Sequence, residues 1–127
     1  MNVVDSSAWI EFFADGPNAA QFAGPIEDFN NLLVPSLTLY EVFKLVVQLA
    51  GESAALDAVS VMLKGRVVEL SASIALEAAR VSLAEKLAMA DSMILATARL
   101  ENAVLWTQDA DFEGLEGVEY RAAAGAQ

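Results

Sequence analysis

Asn2-Val3-Val4-Asp5-Ser6-Ser7-Ala8-Trp9-Ile10-Glu11-Phe12-Phe13-Ala14 carries the decisive pattern, close to the N-terminus. Two β-branched apolar residues close on an acid, two hydroxyl residues follow, and then apolar residues recur at helical spacing. The pattern predicts a short buried strand from Asn2 to Asp5 feeding a helix from Ala8 to Ala14, capped by Ser6 or Ser7 and stopped by Gly16-Pro17.

The same rhythm continues along the chain. Residues 18–29 read as a second, less regular helix with a weak point at Gly24-Pro25. Leu32-Leu33-Val34 is a strand-length apolar run, and Thr38 opens a long apolar helix from Leu39 to about Ala50, ended by Gly51. A helix over 52–64 stops at Gly65, Val67-Val68-Glu69-Leu70 reads as a strand, and a helix runs from about Ser73 to Leu87. A further helix begins near Asp91 and ends at Glu101, followed by strands at 103–107 and 118–120 with a short turn around Phe112. Strands that alternate with helices and are apolar throughout predict an α/β domain: a central, mainly parallel sheet covered on both faces, one domain over residues 1–127.

Composition narrows the chemistry. The chain has 127 residues, 56% of them hydrophobic, enough for a real core. No apolar run is long enough to cross a bilayer, and no basic leader opens the chain, so a soluble cytoplasmic protein without a membrane partner is expected. It contains no Cys and no His. Thiol and imidazole catalysis and the usual zinc ligand sets are therefore excluded, and neither a Walker A loop nor a G-x-G-x-x-G fingerprint occurs. What remains is carboxylate: 18 Asp and Glu against 7 Lys and Arg, a formal net charge of −11. Carboxylates suit hard cations such as Mg²⁺ or Mn²⁺.

In an open parallel sheet, ligands bind beyond the carboxyl ends of the strands. Asp5 ends the first strand, Asp109 and Asp111 follow the strand ending at Thr107, and Glu41 and Asp91 begin helices. Singly, each has an ordinary explanation. Asp5 could serve the next helix, Glu41 completes a Thr38-x-x-Glu41 capping-box pattern, Asp91 could be an N-cap, and Asp109 and Asp111 could be turn residues. Together, on one sheet edge, they would repel unless a cation joins them.

The strings VVDSSAWIEFF (3–13), PSLTLYEVFK (35–44), MADSMILATA (89–98) and LWTQDADF (105–112) resemble, in order and spacing, the four acidic motifs of PIN domains, and are most similar to VapC-type toxins of prokaryotic toxin–antitoxin pairs. The resemblance spans almost the whole chain. It implies a Mg²⁺- or Mn²⁺-dependent endoribonuclease on an α/β/α fold. By position, its acids fall on Asp5, Glu41, Asp91 and Asp109, with Asp111 as a fifth and with Ser6 and Thr107 as hydroxyls lining the site. Asp5, Asp91 and Asp109 would hold metal, and Glu41 would bind through a water or orient the nucleophile. One departure stands out: family members often carry Gly or Pro before the third acid, and Leu87-Ala88-Met89-Ala90 has neither.

The resemblance also implies an antitoxin whose basic tail enters the acidic pocket, and a homodimer. Trp9, Phe12 and Phe13 either face the core or form an apolar groove for that tail, and the helix 39–50 is buried within one chain or, as favoured here, at a dimer contact. So acidic a chain should bind long nucleic acid weakly, which favours a short or structured RNA loop. Phosphatase and receiver arrangements fit poorly: Asp5-Ser6-Ser7 is not Asp-x-Asp, and no Lys follows Lys86. The remaining rival is a PIN-like fold without catalysis that uses its acids to bind a basic protein.

Overall fold

The computed structural model describes residues 1–124. Its elements run β1 (Asn2–Val4), α1 (Ser6–Phe13), α2 (Ala19–Glu27), β2 (Leu32–Pro35), α3 (Ser36–Ala50), α4 (Glu52–Met62), β3 (Arg66–Val68), α5 (Ala72–Glu85), α6 (Met89–Leu100), β4 (Val104–Thr107) and β5 (Val118–Tyr120). Two 3-10 turns, Phe29–Asn31 and Ala110–Phe112, precede β2 and follow β4. Among the described residues, no helix is long and apolar enough to cross a membrane.

The five strands form one sheet in the order β3-β2-β1-β4-β5, and every pair is parallel. The sheet is thus wholly, rather than mainly, parallel. Side chains alternate across it, as the two-residue period of a strand requires. Val3, Leu33 and Leu105 pack on one face with Ile74, Val81, Ile94 and Leu95 of α5 and α6. Val4, Leu32 and Val34 pack on the other with Trp9, Phe22, Ile26, Val42 and Met62 of α1 to α4. Both faces are buried, which is why these strands show no polar alternation.

From β1 the chain winds outward to β2 and β3, then returns to β4 and β5 on the opposite side of β1. The winding therefore reverses between β1 and β4, and the crevice beyond their carboxyl ends is where an open sheet leaves room for a ligand.

Several helix boundaries differ from the sequence expectation, each for a local reason. Asp5, not Ser6 or Ser7, is the N-cap of α1, its side chain accepting the Ser7 N–H. The helix α2 continues through Gly24-Pro25 to Glu27. The helix α3 starts at Ser36, directly after Pro35, so Thr38 lies inside its first turn. The Thr38–Glu41 capping box does not form: the Thr38 hydroxyl and Glu41 Oε1 are both buried without a hydrogen-bond partner. The helix α6 starts at Met89 with Ala88 as N-cap, which places Asp91 in the first turn rather than at the cap. Beyond α3, Gly51 at φ 90° makes the break before α4.

The turn before Asp91 lacks both Gly and Pro, and the chain solves it with Lys86 in the left-handed conformation at φ 57°, ψ 42°. The Ser82 hydroxyl donates to the Leu87 carbonyl at 2.8 Å and ties the turn to α5. A left-handed residue with a Cβ carries strain that glycine avoids. Lys86→Gly is therefore expected to stabilise the protein by about 1 kcal/mol, or roughly 3–5 °C in Tm by thermal melting.

Candidate metal centre

Asp5 ends β1 and caps α1, and is only 2% exposed. Its Oδ2 accepts from the Ser7 hydroxyl at 2.8 Å and the Thr107 hydroxyl at 3.0 Å. Thr107, at the end of β4, also accepts the Asp109 N–H at 2.9 Å. Asp109 in turn caps the 3-10 turn, its Oδ1 accepting the Asp111 N–H at 2.9 Å. One hydrogen-bonded chain thus runs from β1 across β4 into the loop that carries two further acids. Asp91 reaches the same place from the first turn of α6, and Glu41 from α3.

Asp91, Asp109 and Asp111 each place a carboxylate oxygen within 4.8 Å of the others. Asp5 and Glu41 flank this trio closely enough that both charges act on Asp91. All five expected acids are therefore brought to one end of the sheet. The tightest group contains Asp111, expected only as a fifth member, in place of Asp5, whose Oδ2 is engaged by hydroxyls.

The electrostatics record the crowding. Burial raises Asp91 to about 7, with the charges of Asp5, Asp109, Glu41 and Asp111 adding to the effect. Burial raises Glu41 as well, then the Asp5 charge, with partial relief from the nearby Ser6 hydroxyl. Asp5 is raised by burial despite its hydroxyl donors. Among the described residues, no Lys or Arg forms a salt bridge with any of the five; the ion pairs join Arg66 to Glu101, Arg80 to Glu77, Arg99 to Glu85 and Arg121 to Glu119. An all-oxygen donor set without a counter-cation, with Glu41 Oε1 buried and unpaired, fits Mg²⁺ or Mn²⁺. Asp91, Asp109 and Asp111 could hold such an ion, with Asp5 and Glu41 beside it.

The ordinary readings of these residues hold in part. Asp5 and Asp109 do cap helical turns, and they belong to the cluster as well. Glu41 and Asp91 cap nothing. Sequence reasoning singled out Ser6 and missed Ser7, whose hydroxyl binds Asp5 and also accepts the Gln108 N–H at 3.3 Å. The signal was present, because an N-cap side chain accepts from the second or third helical residue, and Ser7 is the second.

The aromatic residues of α1 divide between the two expected roles. Trp9 is fully buried, whereas Phe13 stacks on it at 5.6 Å and lines an open apolar cleft of about 390 Å³ between α1, α3 and α4. Phe12 is half-buried and packs at the edge of the core. The α3 helix is covered within the chain on one face only: Thr38 and Val42 are buried, whereas Tyr40, Leu45, Val47 and Leu49 are exposed.

No curated protein sequence matches the chain. Among solved structures, a toxin–antitoxin complex from Klebsiella pneumoniae contains a chain with TM-score 0.79 and 24% identity, covering 94% of this chain and 96% of that one. VapC20 of Mycobacterium tuberculosis, described as a sarcin–ricin-loop-cleaving toxin, has TM-score 0.78 and 21% identity, with 95% and 99% coverage. DNA-bound VapBC from Salmonella typhimurium has TM-score 0.71 and 17% identity, with 96% and 98% coverage. These likenesses establish a shared fold. The PIN domain family model matches residues 3–118, in a chain that carries its acids on one edge of a parallel sheet, and the chain belongs to the PIN domain family.

Proposed function

We propose that the protein is a Mg²⁺- or Mn²⁺-dependent endoribonuclease acting in the cytoplasm as the VapC-like toxin of a type II toxin–antitoxin pair. The observation that carries this reading is the convergence of five carboxylates from four separated segments, with no Lys or Arg paired to them among the described residues. The description of VapC20 as a sarcin–ricin-loop-cleaving toxin supports an RNA substrate of short, structured form. So does a net charge of −11, which disfavours grip on a long phosphate backbone.

When bound, the ion supplies charge neutralisation on the phosphate and an acidified water. Asp91, Asp109 and Asp111 would hold it, and Asp91 gives up the proton that its raised pKa retains. Asp5, fixed by Ser7 and Thr107, keeps the β1 and β4 ends in register beneath the site. Glu41 offers an unpaired buried oxygen to orient the attacking water. With no His anywhere, attack by the 2′-hydroxyl has no imidazole to drive it, so water attack leaving 5′-phosphate and 3′-hydroxyl ends is expected. Incubation with total RNA and Mn²⁺ should give fragments with those ends. Cleavage that persists in EDTA would overturn the metal route, and basic-peptide binding without any cleavage would favour the docking-only alternative.

Several similar structures are toxin–antitoxin complexes, which supports an antitoxin partner. The cleft lined by Ile10, Phe13, Val46, Leu49 and Val61 suits the apolar face of a partner helix, and the acid cluster suits a basic tail beyond it. Leu49 is 73% exposed, so Leu49→Asp should weaken antitoxin binding by roughly tenfold or more in a titration, while Tm changes little. The exposed Tyr40, Leu45 and Val47 of α3 support pairing of two copies, checked by solution mass.

A further inference from the structure

Asn18 stands in the turn between α1 and α2, only 8% exposed, yet joins four separate parts of the chain. Its Nδ2 donates to Gln108 Oε1 at 3.1 Å and to the Ala122 carbonyl at 2.8 Å. Its Oδ1 accepts from Gln21 Nε2 at 3.1 Å, and its backbone N–H donates to Glu11 Oε2 at 2.8 Å. Gly16 leaves the space that this arrangement needs, because a Cβ there would collide with the Glu11 carboxylate.

Gln108 is the residue between the two site positions Thr107 and Asp109. It is gripped twice: its backbone N–H donates to Ser7 Oγ at 3.3 Å, and its side chain accepts from Asn18. The loop needs such a grip. Asp109 and Asp111 lie within 4.8 Å of Asp91, and like charges at that range push the loop outward. Beyond β4 the far end of the loop is anchored by Phe112, buried in the core, while its near end at Gln108 depends on the grip of Ser7 and Asn18.

We propose that Asn18 is a positioning residue for the acid cluster, holding the Thr107–Asp111 loop through Gln108 against the mutual repulsion of the carboxylates. This rests on the metal-centre reading for its consequence in ion binding, though not for the loop's position. The role requires a neutral carboxamide. An Asp at position 18 would set a charged acceptor against two acceptors, Gln108 Oε1 and the Ala122 carbonyl.

The test combines amide hydrogen exchange with Mn²⁺ calorimetry on the full chain. In Asn18→Ala, the Asp109 and Asp111 amides, which donate to Thr107 Oγ1 and Asp109 Oδ1, should exchange about tenfold faster, and Mn²⁺ should bind about tenfold more weakly. Gln108→Ala should reproduce both effects and carries the test if Asn18→Ala fails to fold. The double variant should be no worse than Asn18→Ala alone, because Gln108 acts on the loop through its bond to Asn18. Asn18→Asp, which removes the donor to Gln108 and adds a charge, should speed exchange at least as much as Asn18→Ala. Unchanged exchange at Asp109 and Asp111 in Asn18→Ala, or independent effects in the double variant, would overturn the proposal. A wild-type chain that binds no Mn²⁺ would sink the metal reading alone, with the exchange data still deciding the positioning role.

Discussion

Asp91→Asn is expected to remove Mn²⁺-dependent RNA cleavage by at least about 10³-fold, beyond the 10–100-fold typical of groups that only support a metal ligand. The same change should raise the Tm of the metal-free protein at pH 8. Both effects come from one arrangement. Asp91 belongs to the trio within 4.8 Å and feels the charges of all four other acids. An amide of the same shape would take a donor from a bound ion and a repelling charge from the metal-free cluster. Because Asp91 caps no helix, the substitution costs α6 no capping bond. Cleavage assays and melting curves on one preparation check both halves. Activity near wild type, or a lower metal-free Tm, would count against a crowded carboxylate centre.

The second large effect is the pH dependence of metal-free stability. Asp91 moves from an ordinary 3.8 to about 7 on folding, so the folded chain holds a proton that the unfolded chain releases. Asp5 and Glu41 shift in the same direction. The associated stability is fully present below pH 4 and is lost as pH climbs through 7. Tm should therefore fall between pH 5 and pH 8 by roughly 4–8 °C, about one to two kcal/mol once solvent screening of the half-exposed Asp91 is allowed for. Saturating Mg²⁺ should reverse the trend, raising Tm more at pH 8 than at pH 5, since protons and the ion compete for the same oxygens. A metal-free Tm that rises over this range would mean the acids are not crowded.

Much of this was legible in the residues. Val3-Val4 and Leu32-Leu33-Val34 are apolar on every position because both sheet faces are covered, and that pattern alone implied a parallel sheet. The placement of Asp5 and Asp109 followed from the rule that strand ends carry sites. The starts of α3 and α6 were less legible, since Pro35 and Ala88 offer no side-chain cap to mark them. Thr38-x-x-Glu41 misled because α3 begins earlier, turning a cap pattern into an interior one. The Asn18–Gln108 bond spans 90 positions and joins two neutral residues, which leave no periodicity or charge pattern to notice. The cleft beside Phe13 depends on how three helices meet, which no local window contains.

The central strand β1 has a consequence for the order of synthesis. It is made before the other four strands of the sheet, yet it lies between β2 and β4, and β4 begins at Val104. Until that late segment leaves the ribosome, one edge of β1 has no neighbour and Asp5 has no Thr107 against it. Such distant pairing is slow to form and leaves the nascent chain open to other contacts. The acid cluster is thus assembled only after the segment carrying Asp109 and Asp111 has been made, and a chain that stops before β4 lacks both the partner strand of β1 and two of the five carboxylates.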